Sequence, residues 1–245
     1  MRHRMVLCGA LALAACGGGD DAGGDAAGGP DAPPAADAPG TPDAGGAGTG
    51  RLLVVGTFVV ENPANGTTGT NLRVNCEVRV SRDGQPVEDA VVNVNPAPPA
   101  FQTLLVQDAL DRSHYTGWYF NYADTARLSV RAGDDFIAEV TLRGPAVFAV
   151  EQPTAGANVP STADLRVTWT PPPVDRVDVA LGAFTMMLPT DPTSFDVPAS
   201  ALAPLAGMDA RVEVTRWRHD PLGPGAAPGS YVDFGVRSVQ PIHVQ

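Results

Sequence analysis

Lysine is wholly absent from this 245-residue chain: all 16 of its Lys+Arg residues are arginine. That excludes every chemistry that runs through a lysine amine, including phosphate-loop and kinase lysines and Schiff bases. Cysteine is nearly as scarce, with Cys8, Cys16 and Cys76 the whole supply. The four histidines fall in no zinc spacing of the His-Glu-x-x-His kind, and no Gly-x-Ser-x-Gly elbow occurs. Positive charge is short as well. Sixteen Arg face 27 acids for a net charge of −11, a balance that repels nucleic acid and anionic lipid surfaces. Residues 51–245 carry no convincing amphipathic helical pattern.

The amino terminus is where apolar residues do concentrate. Arg2 and Arg4 precede a run from Met5 to Ala15, which suits a secretory signal and is too short for a spanning helix of roughly twenty residues. Leu13-Ala14-Ala15-Cys16 follows directly. Small residues before a cysteine at the end of such a run resemble the lipobox of bacterial lipoproteins. The resemblance implies removal of residues 1–15, a diacylglyceryl thioether on Cys16 and acylation of the new amine by a fatty acid such as palmitate. At ~0.8 kcal/mol per buried CH₂, two or three such chains anchor a protein stably. Gly17, rather than Asp, follows Cys16; in lipoproteins that favours export to the outer membrane. With Cys8 removed and Cys16 acylated, Cys76 is the remaining thiol, so no intramolecular disulfide is expected.

From Gly17 to Gly50 every residue except Thr41 and Thr49 is Gly, Ala, Asp or Pro. A segment without large apolar side chains cannot offset the entropy of ordering, so 16–50 is expected to be a disordered tether. Its coil span is about 30–35 Å and its full extension near ~115 Å. Loss of Arg2 and Arg4 leaves 14 Arg against 27 acids; six acids lie in the tether, which leaves the folded part near −7.

The rest reads as all-β, in short Val/Leu/Phe/Tyr runs separated by Gly, Pro, Asn and Asp. Its length suits two sandwiches, 51–143 and 144–245. Strands of the first are expected at 52–60, 72–81, 90–94, 101–106, 115–120, 126–131 and 136–142, with turns at Asn65-Gly66, Asp83-Gly84 and Gly133-Asp134. Strict alternation puts Leu72, Val74, Cys76, Val78 and Val80 on one inward face. The stretch from Val78 through Asp83-Gly84-Gln85-Pro86-Val87 to Val94 resembles the opening of carboxypeptidase-regulatory or transthyretin-like domains. In the second half, Leu165-Arg166-Val167-Thr168-Trp169-Thr170-Pro171-Pro172 resembles the B strand of fibronectin type III domains, with Trp169 inside. Asp178–Leu181, Ser194–Pro198 and Val212–Thr215 then match the C, E and F strands, while Ala210 replaces that family's corner tyrosine. These resemblances imply immunoglobulin-like sandwiches.

Two places are candidates for binding, beside the readings that sheet and loop simply cover both faces of the first and that Trp217 in the second is a lid on the core. In Tyr115-Thr116-Gly117-Trp118-Tyr119-Phe120-Asn121-Tyr122, alternation sets Tyr115 and Tyr119 on one face and Trp118, Phe120 and Tyr122 on the other. In Arg216-Trp217-Arg218-His219, the phase of Val212 and Val214 would bury Arg216 and Arg218. Unpaired buried charge is costly, so a bulge, or a strand that has left the sandwich, is expected. The Pro/Gly-rich loop 220–229 follows, equivalent to a recognition loop of fibronectin-like domains, and Trp217 with its flanking arginines suits an interface anchor. No catalytic residue, cofactor or metal is expected. The acids Asp108 and Asp111, or Asp134 and Asp135, are the pairs on which a hydrolase could draw. The function expected is a non-enzymatic lipoprotein of the outer membrane, facing the periplasm or the cell exterior and presenting its sandwiches for binding, adhesion or envelope assembly. Its partners are the membrane, through lipid on Cys16, and an envelope protein or polysaccharide, with no nucleic acid. The alternatives are a glycan-binding accessory module, which requires exposed aromatics on a sheet face, and a secreted hydrolase with raised carboxylate pKa values.

Overall fold

The computed structural model describes residues 51–62, 72–96, 103–170 and 173–245. The expected signal segment, Cys16, the tether and the Asn65-Gly66 turn lie outside the described residues. The strands are β1 (Leu52–Asn62), β2 (Arg73–Arg82), β3 (Gln85–Pro86), β4 (Val91–Pro96), β5 (Thr103–Leu104), β6 (Val106–Gln107), β7 (His114–Tyr119), β8 (Thr125–Ala132) and β9 (Asp135–Arg143). There follow β10 (Val150–Gln152), β11 (Ala157–Val159), β12 (Leu165–Trp169), β13 (Arg176–Leu181), β14 (Phe184–Leu188), β15 (Ser194–Val197), β16 (Asp209–Pro221) and β17 (Tyr231–Val244). Among the described residues helix is confined to Ala199–Leu202 and a 3-10 turn at Ala203–Leu205. None of the described helices is long and apolar enough to cross a membrane. The chain is all-β, as its spacing predicts.

Period-two patterning sets the strands. In β1, Leu52, Val54, Phe58 and Val60 are buried, and in β2 Val74, Cys76, Val78 and Val80 are. Cys76 is a core side chain, and burial pushes its thiol far above the ordinary range. Asp83 and Gly84 both take positive φ, 50° and 75°, the geometry that a two-residue hairpin turn needs. The expected strand 101–106 is broken: Leu105 turns inward, 3% exposed, and separates β5 from β6.

The strands form one ten-stranded sheet, ordered β14-β13-β16-β17-β1-β2-β7-β6 with β11 along β17 and β3 along β2. A four-stranded sheet, β5-β4-β8-β9, and a three-stranded sheet, β10-β12-β15, complete the fold. The large sheet crosses the expected 143/144 boundary. β1 pairs with β17 in parallel from Val55↔Tyr231 to Asn62↔Ser238, so the β16–β17 hairpin runs out of one half and into the sheet of the other. Phe234 meets Phe58 at 5.5 Å and Tyr122 at 5.6 Å between ring centroids. The hairpin loop is docked rather than free: Ala227 N–H donates to Leu52 O (2.9 Å), and Leu222 and Ala226 are buried. The junction itself is held, with Tyr122 Oη donating to Pro145 O and Arg143 N–H donating to Asp220 Oδ2.

β17 keeps one inward phase along its whole length. Val232, Phe234, Val236, Ser238, Gln240, Ile242 and Val244 are all buried. A single phase means that both smaller sheets cover the same face of the large one. The opposite face is left uncovered among the described residues.

Candidate functional site

The uncovered face is ordered by strand register. Trp118 stands opposite Asn75, Asn75 opposite Val59, Val59 opposite Gly235, Gly235 opposite Trp217, and Trp217 opposite Arg176. The two expected binding places therefore share one cross-strand row. Four strand steps separate their tryptophans, about 19 Å at ~4.8 Å per step. A second row reads Arg73, Glu61, Arg237, Thr215, Asp178.

At one end of the first row Trp118 is 51% and Phe120 49% exposed. The two rings meet edge to face at 5.2 Å, and the Arg73 guanidinium sits 5.1 Å from the Trp118 ring centroid. Beside them is an open depression of about 420 Å³ lined by Val59, Glu61, Arg73, Asn75, Cys76, Glu77, Thr116, Gly117, Trp118 and Arg237. Arg237 bonds Glu61 at 2.8 Å, and Glu77 lies 3.6 Å from His114. Tyr115 and Tyr119 belong to the opposite, covered face, 1% and 5% exposed. They are core, not site. Tyr115 Oη donates to Val87 O (2.8 Å) and accepts from Ala90 N–H (3.0 Å); burial raises both phenols' pKa values. Tyr122 departs from its expected place beside Trp118. β7 ends at Tyr119, Asn121 takes φ 65°, and the chain turns Tyr122 onto Phe234 instead.

At the other end of the row Trp217 is closed in. Its ring lies on Gly235, where an added Cβ would fall 2.6 Å from Trp217 Cε3. Its Nε1–H donates to Asp178 Oδ2 (2.8 Å), and the Arg176 guanidinium covers it at 5.0 Å. Arg176 also reaches Asp233 (3.7 Å), to which His219 Nδ1 bonds at 2.8 Å. Trp217 is thus neither a lid on the core nor an open anchor.

Arg216 corrects the expectation most sharply. β16 pairs with β17 without a register shift from Asp209 to Pro221, so there is no bulge, and Arg216 does point inward, 0% exposed. Its charge is partnered. Nε and Nη2 both donate to Asp191 Oδ2, at 3.1 and 2.5 Å, while Trp169 Nε1–H donates to Asp191 Oδ1 (2.8 Å) and Phe148 lies 5.2 Å beneath the guanidinium. The partner sits on a loop 25 residues earlier, which no local pattern announces. Arg218 keeps the inward phase opposite Phe234, at the point where the hairpin enters the other half's sheet. Arg216 is withdrawn from solvent, while Arg218 remains partly exposed.

Of the acids singled out for hydrolysis, Asp108, Asp111 and Asp135 are committed to turns and ion pairs. Asp108 Oδ1 accepts from the N–H groups of Leu110 (2.7 Å) and Asp111 (3.2 Å), and these bonds lower its pKa. Asp111 is lowered by Ser113, whose Oγ donates at 2.7 Å, and by Arg79 at 2.6 Å. Asp135 pairs with Arg82. Asp220 is shifted up, by burial first, but one of its oxygens is held by Arg143 N–H. Among the described residues no three His, Cys, Asp or Glu side chains converge on a metal-sized site.

No protein-family model matches the chain, and no curated protein does. Among solved structures it is similar to the Yersinia pseudotuberculosis adhesin InvE, at 14% identity and TM-score 0.24 over 75% of this chain and 58% of that one. A two-domain fibronectin type III segment of chicken tenascin is similar at 13% identity and TM-score 0.21, over 74% of this chain and 95% of that one. The chain thus spans a little over half of the adhesin. At such scores these likenesses carry no argument, and the all-β assignment rests on the strand pairing itself.

Proposed function

We propose that this protein is a lipid-anchored, non-enzymatic binding module of the outer membrane, its β body carried on the 16–50 tether from acylated Cys16. The observation that carries the binding role is the uncovered face of the large sheet, where Trp118 and Phe120 stay half exposed beside a depression edged by charged and amide side chains. Soluble proteins rarely leave large aromatics exposed together without a use for them. Support for the anchor comes from the basic pair, the apolar run and Leu13-Ala14-Ala15-Cys16. The hydrolase alternative needs a carboxyl held protonated beside an ionised one, and Asp108 and Asp111 are both shifted the other way.

Cys16→Ser is expected to leave the protein unprocessed or in the soluble fraction when membranes are sedimented. Normal processing with unchanged sedimentation would contradict the anchor. Crosslinking of the lipidated protein in its own envelope tests the rest: a saturable partner supports a binding module, and nothing above background favours a passive spacer.

A further inference from the structure

We infer that the Trp118 depression is a binding site for a neutral saccharide chain, an inference that rests on the binding-module reading and names its ligand class. Three features point there. First, the indole is half exposed, with Phe120 edge to face and the Arg73 guanidinium over the ring, so the aromatic surface that stays open is held with little side-chain entropy left to lose. Sugar rings present patches of C–H on one face and hydroxyls around the edge, and stack on such a surface.

Second, the surroundings of that indole suit hydroxyls rather than an apolar partner. Arg73 and Asn75 lie on β2 beside Trp118, with Glu61, Glu77 and Arg237 on the same wall. These supply both donors and acceptors, and a hydroxyl can satisfy either. An apolar peptide laid over them would strip water from charges without replacing its hydrogen bonds. Among the described residues Arg73 has no carboxylate within ion-pair distance, so its guanidinium donors remain available to a ligand.

Third, the local charge balances: Arg73 and Arg237 against Glu61 and Glu77. A strongly anionic polymer gains nothing from that balance, and a body near −7 repels it from a distance. The volume, about 420 Å³, lies within the ~300–1,000 Å³ of small-ligand sites.

The test uses the full-length lipidated protein in a sugar-free zwitterionic detergent, titrated by calorimetry with cellohexaose, maltohexaose and chitohexaose, and with a hexagalacturonate as the anionic counterpart. Saturable binding of at least one neutral hexasaccharide is expected, weakened about ten-fold or more in Trp118→Ala, which corresponds to ~1.4 kcal/mol. Trp118→Phe should recover part of the loss, since a smaller aromatic still stacks, and unchanged melting of both variants separates binding from folding. No saturable heat with any neutral probe at ~10 mM, an affinity weaker than the millimolar range, overturns the inference; so does binding that Trp118→Ala leaves intact, or binding of the anionic probe alone. A protein partner crosslinked in the envelope, with no response to the neutral probes, would remove the saccharide while leaving the binding-module reading in place.

Discussion

Trp118 and Trp217 occupy the same face and the same register row of one sheet, yet they have opposite fates. Trp217 has a glycine floor, an arginine cover and an aspartate for its N–H. Trp118 has Arg73 and Phe120 against it and stays half open. Alternation fixes which way a strand residue points. What it then does depends on neighbours contributed by other strands: both rings have an arginine over them, but among the described residues Trp217 also has the Gly235 floor and the Asp178 acceptor, and Trp118 has neither.

The largest expected effect lies behind Trp217, on the covered side of β16. Arg216→Ala or Asp191→Ala strands one charge in a site where the pair is 0% and 1% exposed, and removal of one partner of such a pair costs about 3–5 kcal/mol. Chemical denaturation should show the loss as a lower midpoint. Replacing both with apolar residues should recover part of it but not all, because Trp169 Nε1–H then loses its acceptor on Asp191, a cost of roughly 1–3 kcal/mol. A double variant as stable as the wild type would show that the charge network contributes no net stability.

The next effect sharpens the closed end of the row. Gly235→Ala puts a methyl against the Trp217 ring, 2.6 Å from Cε3, and should cost about 1–3 kcal/mol while displacing the indole from Arg176. Trp217 emission should shift to the red; an unshifted spectrum with unchanged stability would mean the floor is loose.

The smallest effect concerns the junction. Burial raises the Asp220 pKa, so the folded protein holds that proton at pH values where the unfolded chain has released it. The ionised form therefore lowers stability as pH rises through and above the ordinary Asp value of 3.8. Asp220→Asn keeps an acceptor for Arg143 N–H and should gain under ~1 kcal/mol at neutral pH, since the group is partly solvated. Below the ordinary Asp pKa the gain should vanish. Asp108 and Asp111 run the other way: their lowered values add stability above the ordinary pKa that is lost as pH falls through the folded ones.

Much of the fold could be read from residues alone because period two is a local signal. The alternation around Cys76, the turn at Asp83-Gly84, the inward Trp169 and the split of Tyr115 and Tyr119 from Trp118 are all found in the structure. What escaped was non-local. β17 is hard to read locally, although Val232, Phe234 and Val236 alternate with Asp233, Gly235 and Arg237; Pro241 within the run reads as a strand breaker. Without β17 the parallel pairing to β1 is invisible, and the two halves read as separate beads with a free loop at 220–229. The cost of unpaired charge argues against a buried Arg216 when the strand is read alone. Only the three-dimensional approach of the 189–193 loop brings Asp191 beneath it. Of the expected site residues, Trp118 alone is left substantially open; Arg216, Tyr115 and Tyr119 are core, and Trp217 is clamped.

The measurement that tests the account most directly compares Trp118→Ala with Trp217→Ala in two readouts, thermal melting and crosslinked partner yield in the native envelope. Trp118→Ala should keep the wild-type melting temperature, within the ±0.5 kcal/mol usual for surface changes, and lose the partner. Trp217→Ala should lose roughly 2–3 kcal/mol, a fall of several degrees, while retaining the partner wherever the protein stays folded. The reverse pattern, a destabilised Trp118→Ala with normal capture and a stable Trp217→Ala without it, would contradict the assignment of one tryptophan to binding and the other to the fold.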